Sequence, residues 1–216
     1  GVNKSNNSLV ILDRFSLHNA NSITFAQSGS GKSYTTKVEI LRQLMQGTKV
    51  IVIDPEREYK RLTESVGGTY VKLSATSKEK INPFDLATTF HKVSDLSEHA
   101  QDLTEVISLM AEGLSAREKA AVDKAILKVY KKAKETQPLL EDLYAVLKDL
   151  GQMKLCERLE KYISGSLANV FNAQTNIKLD NRLVIFDIKD LPESLRQIMM
   201  LIISNFVQNQ VKASPE

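Results

Sequence analysis

Eight consecutive residues constrain this chain more than any other stretch: Ala26-Gln27-Ser28-Gly29-Ser30-Gly31-Lys32-Ser33. Gly29 and Gly31 allow main-chain angles closed to other residues, and a backbone that turns tightly there aims several N–H groups at one point. An apolar run, Ile23 to Ala26, precedes the loop. Helical spacing of Val38, Ile40, Leu41 and Leu44 follows within Ser33 to Gln46, and Gly47 sits where a C-cap glycine belongs. A strand, a Gly-rich turn and a helix in that order make an anion cradle, because the first amides and the positive dipole end of the helix add to the loop. The spacing is that of a P-loop, with Ala26 where the first glycine usually stands. It predicts that Gln27, Ser28, Gly29, Ser30, Gly31, Lys32, Ser33 and Tyr34 surround a polyphosphate. Lys32 would reach the β- and γ-phosphates, and the Ser33 hydroxyl would coordinate Mg²⁺.

The flanks suit an α/β fold. Short β-branched runs at Leu9 to Leu12, Ile23 to Ala26, Val50 to Ile53 and Thr69 to Leu73 alternate with a helix, as in units that build a parallel sheet. From about Asp95 to Tyr162 the pattern is helical throughout: Leu103 to Met110, Ser115 to Lys134, Leu139 to Leu150 and Lys154 to Ile163. Ser115-Ala116-Arg117-Glu118 reads as a capping box, and Lys131, Lys132 and Lys134 as a solvated helix face. A strand pattern returns at Arg182 to Phe186 before a long helix, Glu193 to Val211, opened by Pro192. The expected organisation is a nucleotide-binding α/β domain made of residues 1–90 and 180–216, with an all-helical insertion over 91–179.

Two apolar strands end in an acid. Val50 to Ile53 leads into Asp54 and Pro55-Glu56-Arg57-Glu58-Tyr59, at the carboxyl edge where open α/β sheets bind ligands. Asp54 is thus a candidate partner of Mg²⁺, and Glu56 and Glu58 are candidate catalytic acids or bases; a helix cap or a surface charge is the alternative for each. Leu183-Val184-Ile185-Phe186-Asp187 has the same shape, which makes Asp187 a rival metal candidate.

Composition narrows the remaining classes. With 216 residues, 42% hydrophobic and 25% charged, the chain buries a core of one domain with a smaller insert. A net charge of +3 is too slight to predict nucleic-acid or membrane binding. The single Cys156 forbids an internal disulfide, and its helical neighbours Leu155 and Leu159 mark it as a small buried hydrophobe. His18, His91 and His99 lack metal-ligand spacing. The longest apolar stretch, Ile198 to Ile203, is far short of a membrane span. The polar start and the missing initial Met suggest a trimmed fragment without a signal peptide.

Asp13-Arg14-Phe15, Asn19-Ala20-Asn21, the phosphate loop, Ile53-Asp54-Pro55-Glu56-Arg57-Glu58-Tyr59 and Ile81-Asn82-Pro83-Phe84 together resemble the large ATPases of bacterial conjugation and type IV secretion. These are the fourth component of the VirB series, TraC-like proteins in the HerA–FtsK superfamily. The resemblance is dense over roughly residues 10 to 90. It implies a RecA-like P-loop NTPase parallel sheet with an all-helical insertion, incomplete at the C-terminus, and ATP and Mg²⁺ as cofactors. It also implies a motor that energises pilus assembly or substrate transfer, working with other channel subunits as a homo-hexamer at the cytoplasmic face of the cell membrane. In that family an Asp-Glu strand follows the helix equivalent to Glu193–Val211. Asp187 would then close an intermediate strand, and the chain would hold nucleotide while hydrolysing it poorly. The neighbour-supplied arginine stays open among Arg57, Arg61, Arg117, Arg158, Arg182 and Arg196. Rival functions are a HerA-like DNA-translocating ATPase, a small-molecule kinase, and an interaction module that binds nucleotide without turnover.

Overall fold

The computed structural model describes residues 4–9, 13, 16–86, 93–133 and 136–213. Two compact units divide the chain, residues 1–41 and 42–216.

In the first unit the regular element is the start of α1 (Lys32–Met45), which runs on into the second. Its first residue is the lysine of the phosphate loop, close to the predicted Ser33 start. Leu9 forms an isolated bridge, and the rest of the expected first strand, 10–12, lies outside the described residues. The strand expected at Ile23 to Ala26 is not formed. Residues 21–27 take no ladder bonds, and Ile23 and Phe25 are 80% and 89% exposed. β-branched and aromatic residues favour a strand only where a neighbouring strand and an apolar layer receive them.

In the second unit the described sheet holds β1 (Val50–Asp54), β2 (Thr69–Lys72) and β3 (Leu183–Asp187), all parallel, in the order β1-β3-β2. The central strand is buried along its whole length, which explains why Leu183 to Phe186 is continuously apolar rather than alternating. Register pairs Val50 with Leu183 and Asp54 with Asp187, and on the other side Lys72 with Asp187. The three polar ends therefore gather at one carboxyl edge.

Between β1 and β2 lies α2 (Lys60–Val66), too short to show a helical period in the sequence. Between β2 and β3 come α3 (Val93–Met110), α4 (Ala116–Lys132), α5 (Leu140–Asp149), α6 (Met153–Ile163) and the single turn α7 (Ala168–Phe171). Each packs on the next, and α3 also packs on α8 (Glu193–Ala213). α3 begins well before the expected Leu103, because small Ala100 and buried His99 continue the inward face without an apolar signature. The predicted capping box at Ser115 and Glu118 is present. On α6 the buried residues Leu155, Cys156, Leu159 and Tyr162 recur at helical spacing. One apolar cluster joins Val184 and Phe186 of β3, Leu103 and Ile107 of α3, Ile126 of α4, Leu143 of α5 and Ile202 of α8. Among the described residues no helix is long and apolar enough to cross a membrane.

Candidate functional site

The phosphate loop is built by its glycines. Gly29 and Gly31 have φ of +79° and +90°, in the left-handed region that side chains disfavour. The Ser30 amide donates to the Gln27 carbonyl at 3.2 Å, closing a turn over Ser28 and Gly29. The Thr35 amide donates to the Gly31 carbonyl at 2.9 Å, which is the first bond of α1. Gly31 thus ends the turn and caps the helix, and Lys32, Ser33 and Tyr34 form its first turn. The amides of a helix's first turn have no acceptor within the helix, so they point outward with the positive dipole end. Lys32 and Tyr34 are exposed, Ser33 is half-buried, and Lys32 has no ion-pair partner among the described residues. Among the described residues, chain neighbours aside, no atom lies within 4 Å of where a Cβ would stand on Gly29 or Gly31, so the space beside each glycine is open. An open loop of amides, a cation and a hydroxyl fits a magnesium-bound polyphosphate. In it Ser33 would meet the metal and Lys32 the phosphates.

The second unit contains the acids. Asp54, 1% exposed at the end of β1, gives both oxygens to its own loop: Oδ1 accepts from the Glu56 amide at 3.2 Å and Oδ2 from the Tyr59 amide at 3.0 Å. It shapes the turn into α2. Glu56 and Glu58 project from that turn as exposed side chains. Beside Asp54, Asp187 is fully buried. Its Oδ2 accepts from Arg57 Nε at 2.6 Å and from the Tyr70 hydroxyl at 2.5 Å, and its Oδ1 from the Lys189 amide at 3.0 Å. Burial alone would raise this carboxyl, but the bonds from Tyr70 and Arg57 outweigh it and hold it below the ordinary carboxylate range. Asp190 sits between Arg57 at 2.7 Å and Lys72 at 2.6 Å, and these cations hold it down to about 2.

Three arginines expected as possible neighbour-supplied groups are engaged within the chain. Besides Arg57, Arg158 donates to the Ala111 and Gly113 carbonyls and pairs with Glu118, while Arg196 donates to the Leu191 and Lys189 carbonyls. Arg61, Arg117 and Arg182 are exposed. Asn82 of the expected turn is buried: its amide donates to Thr175 Oγ1 and its side chain to the Pro138 carbonyl, fastening the turn to the chain after the helices. His99 is also buried, within hydrogen-bond distance of Tyr130 and Asn209, whereas His91 lies outside the described residues. Cys156 is a buried free thiol, as expected.

A family described as Helicase HerA, central domain matches residues 3–211. The chain belongs to that family. Among solved structures, VirB4 of Thermoanaerobacter pseudethanolicus is similar to it with a TM-score of 0.73 and 27% identity, covering 84% of this chain and 75% of that one. No curated protein sequence matches the chain. The likeness to the secretion and conjugation ATPases read from the sequence is borne out, and with it the RecA-like α/β class. The chain is a P-loop ATPase domain of the HerA–FtsK kind.

Networks around Arg57 and His99 escape sequence reasoning, since their members are far apart along the chain. The one available signal for the first was a pair of apolar strands that both end in aspartate.

Proposed function

We propose that this chain is the ATP-binding motor domain of a type IV secretion or conjugation ATPase, coupling ATP hydrolysis to pilus assembly or substrate transfer. The observation that carries the reading is the likeness to VirB4 over 84% of the chain, together with a phosphate loop whose two glycines take left-handed angles at the mouth of α1. Gln27 to Tyr34 would surround the phosphates, with Lys32 offsetting charge on the β- and γ-oxygens and Ser33 holding Mg²⁺. When bound, the metal neutralises charge that develops on the transferring group. Glu56 and Glu58 are the proposed groups that orient or deprotonate water, while Asp54 keeps their loop in shape through two backbone amides. Partner subunits of a channel, a homo-hexameric ring and a position at the inner face of the membrane belong to this proposal. Calorimetry with MgATP tests it. The wild-type chain binds, and Lys32→Ala weakens binding about 10- to 100-fold, the scale of one lost charge-assisted contact. Equal affinity in both would refute the reading.

A second reading is DNA translocation, favoured by the description of the family as the central domain of a helicase. Its mark would be DNA affinity that falls steeply with salt concentration.

A further inference from the structure

We infer that Arg57 is a positioning residue that clamps the loop bearing Glu56 and Glu58 onto the loop after β3. This rests on the proposed ATPase reading for its purpose, though not for its geometry.

Arg57 stands between the two exposed glutamates and has φ of +62°, a left-handed conformation uncommon for an arginine. Backbone of that kind persists where its surroundings over-determine it, and at Arg57 the surroundings are specific. The guanidinium turns back over the sheet edge, donating through Nε to Asp187 and pairing through a terminal nitrogen with Asp190. One planar group therefore spans two carboxylates, Asp187 at the end of β3 and Asp190 on the loop after it, a task the single point charge of lysine cannot repeat. The opposite loop reciprocates: the Lys189 ammonium donates to the Glu56 carbonyl at 3.2 Å, and the Ile188 amide to the Asp54 carbonyl at 3.2 Å. Asp54 holds the Glu56 and Tyr59 amides on either side of Arg57. Tyr70 and Lys72 on β2 hold Asp187 and Asp190 in place for the arginine. A loop whose acids must meet a ligand reproducibly gains from such fastening, because misplacement of a reacting group is costly.

Amide hydrogen exchange on the 216-residue chain tests the clamp. Arg57→Gln and Arg57→Lys both speed exchange across residues 56–59 by about tenfold or more, while β1, β2 and β3 stay protected and nucleotide affinity stays within about twofold. Asp190→Asn, a change at the exposed end of the network, speeds the same segment by a smaller factor and decides the matter if the Arg57 variants do not fold. Wild-type protection in Arg57→Lys would overturn the inference, as would loss of protection spread evenly over the sheet, or no change at 56–59 in Asp190→Asn. Lys32→Ala separates the two readings: it weakens ATP binding about 10- to 100-fold without touching protection of 56–59. Wild-type ATP affinity in that variant would sink the ATPase reading and leave the clamp standing.

Discussion

Asp54 and Asp187 face each other in register at the carboxyl ends of β1 and β3, and both are buried with their oxygens given to the protein's own donors. Two carboxylates side by side would repel in a low-dielectric setting. Here the amides of Glu56 and Tyr59 serve one, and Arg57, Tyr70 and the Lys189 amide serve the other. Both carboxylates are thus tied to the protein's own donors and shape the loops around them, while Glu56 and Glu58, two and four residues past the end of β1, are exposed.

Removing the buried acceptor should destabilise the fold. Asp187→Ala leaves Arg57 and Tyr70 without their shared acceptor, and we expect a loss of about 2–3 kcal/mol, the scale of hydrogen bonds to a charged group. Urea unfolding of the wild type and the variant measures it, and an unchanged midpoint would contradict the network.

The same edge sets an acid limb of stability. Asp187 and Asp190 lie below their ordinary values in the folded state, so their contribution is complete above about pH 4, the unfolded carboxylate range, and is lost as pH falls through the folded values. For Asp190 that window runs from the ordinary 3.8 down to about 2. Asp190→Asn should flatten this part of the melting temperature against pH curve.

His99 gives a second pH dependence at milder acidity. Tyr130 donates its hydroxyl proton to the Phe84 carbonyl at 2.6 Å, so its oxygen accepts from His99 Nε2–H at 2.8 Å, and His99 Nδ1 is left to accept from Asn209. The ring is neutral in this arrangement, and burial lowers it from 6.5 to about 4. Between those values the unfolded chain binds more protons than the folded one, so stability is full above pH 6.5 and falls as pH drops toward 4, by up to about 3 kcal/mol. His99→Phe should abolish the slope in that range in thermal melts, whatever its effect on stability at pH 7.

Glycine angles make a test of the phosphate loop that is independent of charge. Gly31→Ala meets no steric neighbour among the described residues but must hold φ near +90°, at a cost of about 1–2 kcal/mol in the conformation that presents the loop. Nucleotide affinity should fall about tenfold or more while the unfolding midpoint of the second unit is unchanged. Full affinity in that variant would mean that the loop does not use this shape to bind.

Arg158 closes the end of α3 by donating to the Ala111 and Gly113 carbonyls. Arg158→Met keeps the stem and removes the donors, and should lower stability by about 2 kcal/mol with no effect on nucleotide binding. Differential scanning calorimetry and the ATP titration would show the two effects apart.

Features carried by neighbouring residues were legible without coordinates: the phosphate loop at the start of α1, the apolar strands at Val50 and Leu183, the capping box at Ser115, and the helices from Ser115 to Ile163. Their signals are short-range, since helical period, main-chain freedom and capping act over a few residues. What only the tertiary structure decided depends on partners brought from elsewhere. Ile23 to Ala26 has every local mark of a strand and forms none, because a ladder needs a second strand to receive its amides. Arg57 reads as one more surface arginine until a partner 130 residues away, Asp187, is placed beside it. Local chemistry proposed the elements, and long-range closure chose which strands pair and which charges meet, because a ladder needs a second strand and a buried ion is tolerated only where the fold supplies its counterpart.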